Sequence, residues 1–267
     1  SLVALGVLGG GFSWQGLGSQ LFYFANYFNI FFATGHSQPG GTGVLWSLAV
    51  EEHFYLFFPV VMYAVFRFRD ARVLLVRAFV VLCVLALAWR CWLVAQPGFV
   101  DLRTYYATDT RFDSILFGCL LAVWRNPARL PAAAARTTMR GRDWLLCAAG
   151  VALLLATIFY RDPQFRESFR YSLQGLALLP IFYFAIRNPT AGPFRMLNTR
   201  MLARVGILSY GIYLIHDVVL EALASSVHVT VPPVVRLGLA LAVSIAFASL
   251  LDRYVDPYFR RRRAALR

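Results

Sequence analysis

Apolar residues gather in eight runs along this 267-residue chain, at 2–11, 46–66, 74–95, 111–125, 144–160, 170–187, 205–224 and 234–255. Several approach the roughly 20 residues that take a helix across a bilayer. They are too long and too uniformly apolar for the strands of an ordinary sheet. Helices satisfy their own backbone hydrogen bonds, as lipid demands. The pattern therefore predicts an all-α fold, a polytopic transmembrane helix bundle with about eight visible spans. Segment 12–45 breaks the pattern with Gly, Asn, Gln and many aromatics. We read it as a loop outside the membrane whose amphipathic aromatic part rests at the interface. No internal repeat, P-loop or GxGxxG fingerprint occurs.

Composition agrees. The chain is 59% hydrophobic and 15% charged, with a mean hydropathy of +0.61, against about 25% charged in a soluble domain. The net charge of +13 comes from arginine alone, for there is no lysine. A basic excess can signal nucleic acid, but these arginines fall mostly between the apolar runs, where topology explains them. One set of connections, with the tail, holds eighteen arginines and the opposite set holds five. Positive residues mark the cytoplasmic side, so the basic tail at 256–267 is expected in the cytoplasm and 12–45 outside. The four cysteines (Cys83, Cys91, Cys119 and Cys147) all lie in apolar runs without CxxC or Cys/His metal spacing. They read as small buried residues, and no metal is expected.

The run from Trp46 to Phe66 carries Glu51, Glu52 and His53. A charged side chain deep in a span costs about 3 kcal/mol and usually faces a protein interior where it has a task. Ser47, Glu51 and Tyr55 share one helix face at i, i+4, i+8, and Pro59 should bend the helix beside them. Arg111 and Asp113 open a later run on the same outer side; Arg111 is placed to pair with Glu51 or Glu52, and Asp113 to hold another donor. Ser209, Tyr213 and His216 form a stripe in the 205–224 run with Asp217 beside it. His216 suits proton transfer, its ordinary pKa lying near neutral, or else a helix–helix hydrogen bond. Asn26 is a candidate for acceptor contacts, and Trp46 for an interface belt. His36 and His228 fall in predicted outer loops. Intramembrane acids and histidine also suit a proton-coupled transporter, although no pair of matching interrupted helices is evident. An inactive truncated membrane protein is the third reading.

Three stretches, in order, carry a resemblance. WSLAVEEHFYLFFP (Trp46–Pro59) resembles the signature WSLxVEEQFYLxxP of the acyltransferase-3 family of integral membrane acyltransferases, with His53 where Gln is usual. RFDSILFGCLLA (Arg111–Ala122) is similar to its R-F-D element, and LSYGIYLIHDVV (Leu208–Val219) to its late S-Y-x-x-Y-L-x-H element. VDPYFRRR resembles a terminal E-x-P segment, with Asp256 for Glu. The resemblance implies a single membrane-embedded acyltransferase domain over 1–267, with an expected complement of about ten spans. The abrupt start at Ser1 leads us to expect that the first two spans, and a histidine base with them, are missing. It further implies transfer of an acetyl or other short acyl group from acyl-CoA, a co-substrate rather than a bound cofactor, to a hydroxyl of a carbohydrate or cell-envelope glycan. Glu51, Glu52, Arg111, Asp113 and His216 are then the catalytic candidates. Trp46, Ser47, Tyr55, Asn26 and Tyr213 are the substrate-binding ones. The enzyme is expected in a bacterial inner membrane, and nucleic acid is not among its partners.

Overall fold

Long apolar segments flanked by arginine, glycine and proline become helices here. The computed structural model describes residues 13–32, 38–129, 139–226 and 232–265. The run at 2–11, His36 and His228 lie outside the described residues. Every regular element among the described residues is helical. Among the described residues, five helices are long and apolar enough to cross a membrane: α3 (Leu45–Val65), α4 (Ala71–Val94), α7 (Gly141–Phe159), α11 (Arg200–Ala224 of its Arg200–Ser226) and α12 with its extension (Pro233–Arg262). The runs at 111–125 and 170–187 are helical as well, in α6 (Thr108–Arg125) and α9 (Arg170–Arg187). Arginines at both ends and polar first turns keep these two out of the five. The protein is a polytopic helical membrane protein.

The chain divides into two compact units. The first comprises 1–48 and 199–267. Its aromatic segment folds into two short helices, α1 (Trp14–Leu21) and α2 (Ala25–Phe31). Ser13 caps α1 by accepting from the Gly16 N–H at 3.0 Å, the usual remedy for an orphan first-turn donor. Trp14, Leu21, Phe22 and Phe31 stay exposed. Helices α11 and α12 meet along small residues: Ala240, Ser244 and Ala248 are buried at every fourth position. A Cβ on Gly211 would stand 2.8 Å from that of Ala248. Small side chains let backbones approach closely where lipid offers no hydrophobic drive to association. A wider turn at Leu251–Val255 then leads into α13 (Asp256–Ala265).

The second unit spans Ala49–Asn198. It holds most of α3, then α4, α5 (Asp101–Tyr106), α6, α7, α8 (Pro163–Glu167), α9 and α10 (Gly192–Leu197). One stripe of α4 faces inward: Leu75, Phe79, Cys83, Ala86 and, closing the row, Arg90. Leu75, Phe79 and Cys83 pack with Leu116 and Phe117 of α6, and Phe54, Phe58 and Met62 of α3 lie against this core. A side chain on Gly175 of α9 would collide with the Phe117 ring, so α9 lies close against α6. The outward faces of α3, α4 and α7 are exposed and apolar, as with Leu56, Val60, Val84 and Leu155. Such faces are what a bilayer covers.

Candidate functional site

In the second unit a buried arginine organises the polar residues. Arg90 and Asp113 are both wholly buried and form a two-pronged pair, Nη1 to Oδ1 at 3.0 Å and Nη2 to Oδ2 at 2.7 Å. Arg90 also donates Nε to the Ser168 carbonyl (2.9 Å), Nη1 to the Thr110 carbonyl and Nη2 to Ser172 Oγ, both at 2.5 Å. All five guanidinium N–H groups thus have acceptors, which a buried arginine requires. Ser172 in turn donates to Asp113 Oδ2 at 2.9 Å. Asp113 therefore holds another donor, as expected, and that donor is Arg90. Arg90 was not among the sequence candidates. Its signal was a single arginine interrupting the apolar run AFVVLCVLALAWRCW.

Arg111 stands one turn into α6. Its guanidinium lies 4.0 Å from the ring centre of Tyr171 and 5.8 Å from that of Tyr105. His53 Nδ1 lies 2.8 Å from Thr108 Oγ1. That bond sets the turn of α3 carrying Glu51 and Glu52 beside the first turn of α6. Glu51 is half-buried, whereas Glu52 and Tyr55 are exposed. The start of α6 is held further by Arg103, which grips Asp109 with both Nη atoms (2.9 and 2.5 Å) while Trp89 donates to the same carboxylate at 2.8 Å. Outside the spans, the Tyr106 phenol is pushed up first by burial, then by Tyr105 and Asp101. It stays protonated near neutral pH.

The first unit gathers a second group. The Tyr213 hydroxyl donates to the Val44 carbonyl at 3.1 Å, and Ser47 Oγ lies 2.5 Å from the same phenol oxygen. His216 Nδ1 is 2.7 Å from the Tyr213 carbonyl. A carbonyl can only accept, so Nδ1 carries the proton and Nε2 is left as the acceptor of the neutral ring. The glycine-rich loop before α3 lies against α11. Gly41 has φ +67°, and a Cβ there would run into the Val218 backbone. A Cβ on Gly43 would sit 3.7 Å from Asp217 Oδ2. Gln20 Nε2 donates to Thr42 Oγ1 at 2.6 Å, tying α1 to this loop. Trp46 is half-buried beside Ser47, and Asn26 is fully buried on α2.

Two polar centres in a helical membrane protein, carrying these motifs, define its class. The chain matches the acyltransferase domain family over residues 2–253, and it belongs to that family. Among its relatives is the peptidoglycan O-acetyltransferase OatA of Listeria monocytogenes, 29% identical over 91% of this chain and 40% of the relative. A provisionally assigned peptidoglycan O-acetyltransferase of Bacillus subtilis is 27% identical over 91% of this chain and 39% of its own length. A provisionally assigned O-acetyltransferase of Staphylococcus aureus is 25% identical over 81% and 36%. The chain spans about two fifths of the length of these relatives. No solved structure matches it.

Proposed function

We propose that the protein is an O-acyltransferase that moves an acetyl or other short acyl group from a coenzyme A thioester to a hydroxyl of a cell-envelope glycan. Family membership supports the reaction class, and the names of the Listeria and Bacillus relatives suggest peptidoglycan as the acceptor. The acceptor oxygen attacks the thioester carbonyl, the C–S bond breaks, and the hydroxyl proton passes by way of a base to the departing thiolate. Two demands follow: a proton acceptor and a positive group for the tetrahedral oxyanion.

The observation that carries the reading is the His53–Thr108 hydrogen bond. It joins the Glu51 turn to the Arg111 turn, so that a half-buried carboxylate and a guanidinium serve one region. Arg111 stabilises the oxyanion, and Glu51 takes or relays a proton. Glu52, being exposed, is the weaker candidate of the pair. Asp113 is committed to Arg90 and acts through structure. Taken by itself, the first unit offers His216, with Nε2 as acceptor, as a proton-handling candidate and Ser47, Tyr213, Trp46 and Asn26 as candidate acceptor contacts; in the second unit Tyr55 of α3 is a candidate acceptor contact. Acyl-CoA approaches from the arginine-rich, cytoplasmic face, where guanidiniums suit phosphates. The glycan enters from the other side of a bacterial inner membrane.

The test is transfer of labelled acetyl from acetyl-CoA to glycan by the protein expressed from its whole reading frame in lipid nanodiscs. Arg111→Gln should lower kcat by about two to three orders of magnitude, the usual cost of losing an oxyanion donor. Glu51→Gln should lower it by about two orders or more, as for a general base. Unchanged transfer by both variants removes these residues from the mechanism.

A further inference from the structure

An oxyanion-stabilising arginine works only if its guanidinium is held still, and the first turn of α9 carries a device that does this. Tyr171 is buried, at 6% exposure. Three guanidiniums approach its ring: Arg111 at 4.0 Å from the centroid, Arg170 at 4.8 Å and Arg90 at 5.7 Å. Arg170 also donates Nη2 to the Tyr171 hydroxyl at 2.9 Å and lies 3.9 Å from Glu167. Positive groups gathered this closely repel one another, so the ring must return attraction. Its negative face does that, more strongly where water is excluded.

Two of the arginines are tied to further groups around the ring. Arg90 is locked by Asp113, Ser172 and two carbonyls, and Arg170 is steered by Glu167 and the phenol oxygen. Both lie close to the Tyr171 ring, and α9 supplies Ser172, the very next residue, to the Asp113 network. The ring is therefore rigidly placed. Arg111, the nearest of the three cations, lies over this fixed face, and Tyr105 offers a second ring.

We infer that Tyr171 is the positioning residue for Arg111, an aromatic platform that holds the guanidinium where the oxyanion forms through cation–π attraction to its ring. This rests on the role proposed above for Arg111. In this role Tyr171 acts through the arginine. It is a strong hold because the alternative, a flexible side chain of many rotamers, costs catalytic geometry at every turnover.

Replacing Tyr171 with phenylalanine and then with its mono-, di- and trifluoro derivatives keeps the ring's shape while draining charge from its face. The measurement is kcat and KM for acetyl-CoA in nanodiscs, with thermal unfolding recorded for each protein. Phenylalanine should stay within about threefold of tyrosine, since the ring face remains. Each added fluorine should lower kcat stepwise, to about tenfold overall, with KM and the unfolding temperature little moved. Tyr171→Leu should fall at least as far as the trifluoro protein. A kcat that is flat across the fluorine series overturns the inference, even if Tyr171→Leu fails to fold. So does a phenylalanine variant as slow as Arg111→Gln. If Arg111→Gln itself retains transfer, the proposed function fails first, which separates the two outcomes.

Discussion

Arg90 and Asp113 show how far two buried charges come to depend on each other once their partners are counted. Each is wholly enclosed and is served by the other and by Ser172, with the Ser168 and Thr110 carbonyls completing the set for Arg90. Removing one strands its mate, and a stranded buried charge costs about 3–5 kcal/mol. Asp113→Ala should therefore lower the unfolding temperature in nanodiscs by many degrees, so that its lost activity is a loss of structure. Arg111→Gln, by contrast, should lose transfer with little change in unfolding. His53 makes a finer case. It stands where the resembling signature has Gln, and a glutamine amide can also bond the Thr108 hydroxyl. His53→Gln should keep most activity and His53→Leu should lose about tenfold, the latter by loosening two turns that must stay within a fraction of an ångström. Acetyl-transfer assays on both variants check this. The sequence displayed Glu51, Arg111 and Asp113 plainly, because charge in an apolar run is conspicuous. Tyr171 was hidden, since a tyrosine at the end of a span is commonplace. Its importance comes from Arg90 and Arg111, distant in sequence, which only folding brings to the ring beside its chain neighbour Arg170.

At the scale of elements, apolar periodicity was a reliable guide to helices and a weaker guide to which of their side chains meet. α6 and α9 read as spans from their apolar middles. In their polar ends, Thr110 and Asp113 of α6 and Ser172 of α9 turn inward to a shared network. Their facing was set by partners on other helices, which no single segment reveals. The aromatic stretch after Ser13 did announce itself as something other than a span, and it forms α1 and α2 with rings exposed. The loop before α3 illustrates a contact that only coordinates show. Gly41 is left-handed and touches the α11 backbone. A side chain there meets both a strained φ and a collision. Gly41→Ala should destabilise the protein by at least about 1 kcal/mol. It should also disturb the hydrogen bonds among Ser47, Tyr213 and Val44, and exchange protection at the start of α3 would report that shift.

For the molecule as a whole, the arginine asymmetry predicts an orientation that labelling can test. In a cysteine-free background, Arg161→Cys should react with a membrane-impermeant maleimide in intact cells. Arg261→Cys should react only after the membrane is opened. The reverse pattern would invert the topology and with it the side from which coenzyme A arrives. The buried arginine has a consequence for how such a chain is made. Synthesis delivers Arg90 to the membrane 23 residues before Asp113. Until the acid follows, the earlier helix must shelter a bare cation, at up to about 3 kcal/mol in hydrocarbon. The two segments should therefore leave the translocon as a couple, which makes the short link between them a clock that biogenesis must keep.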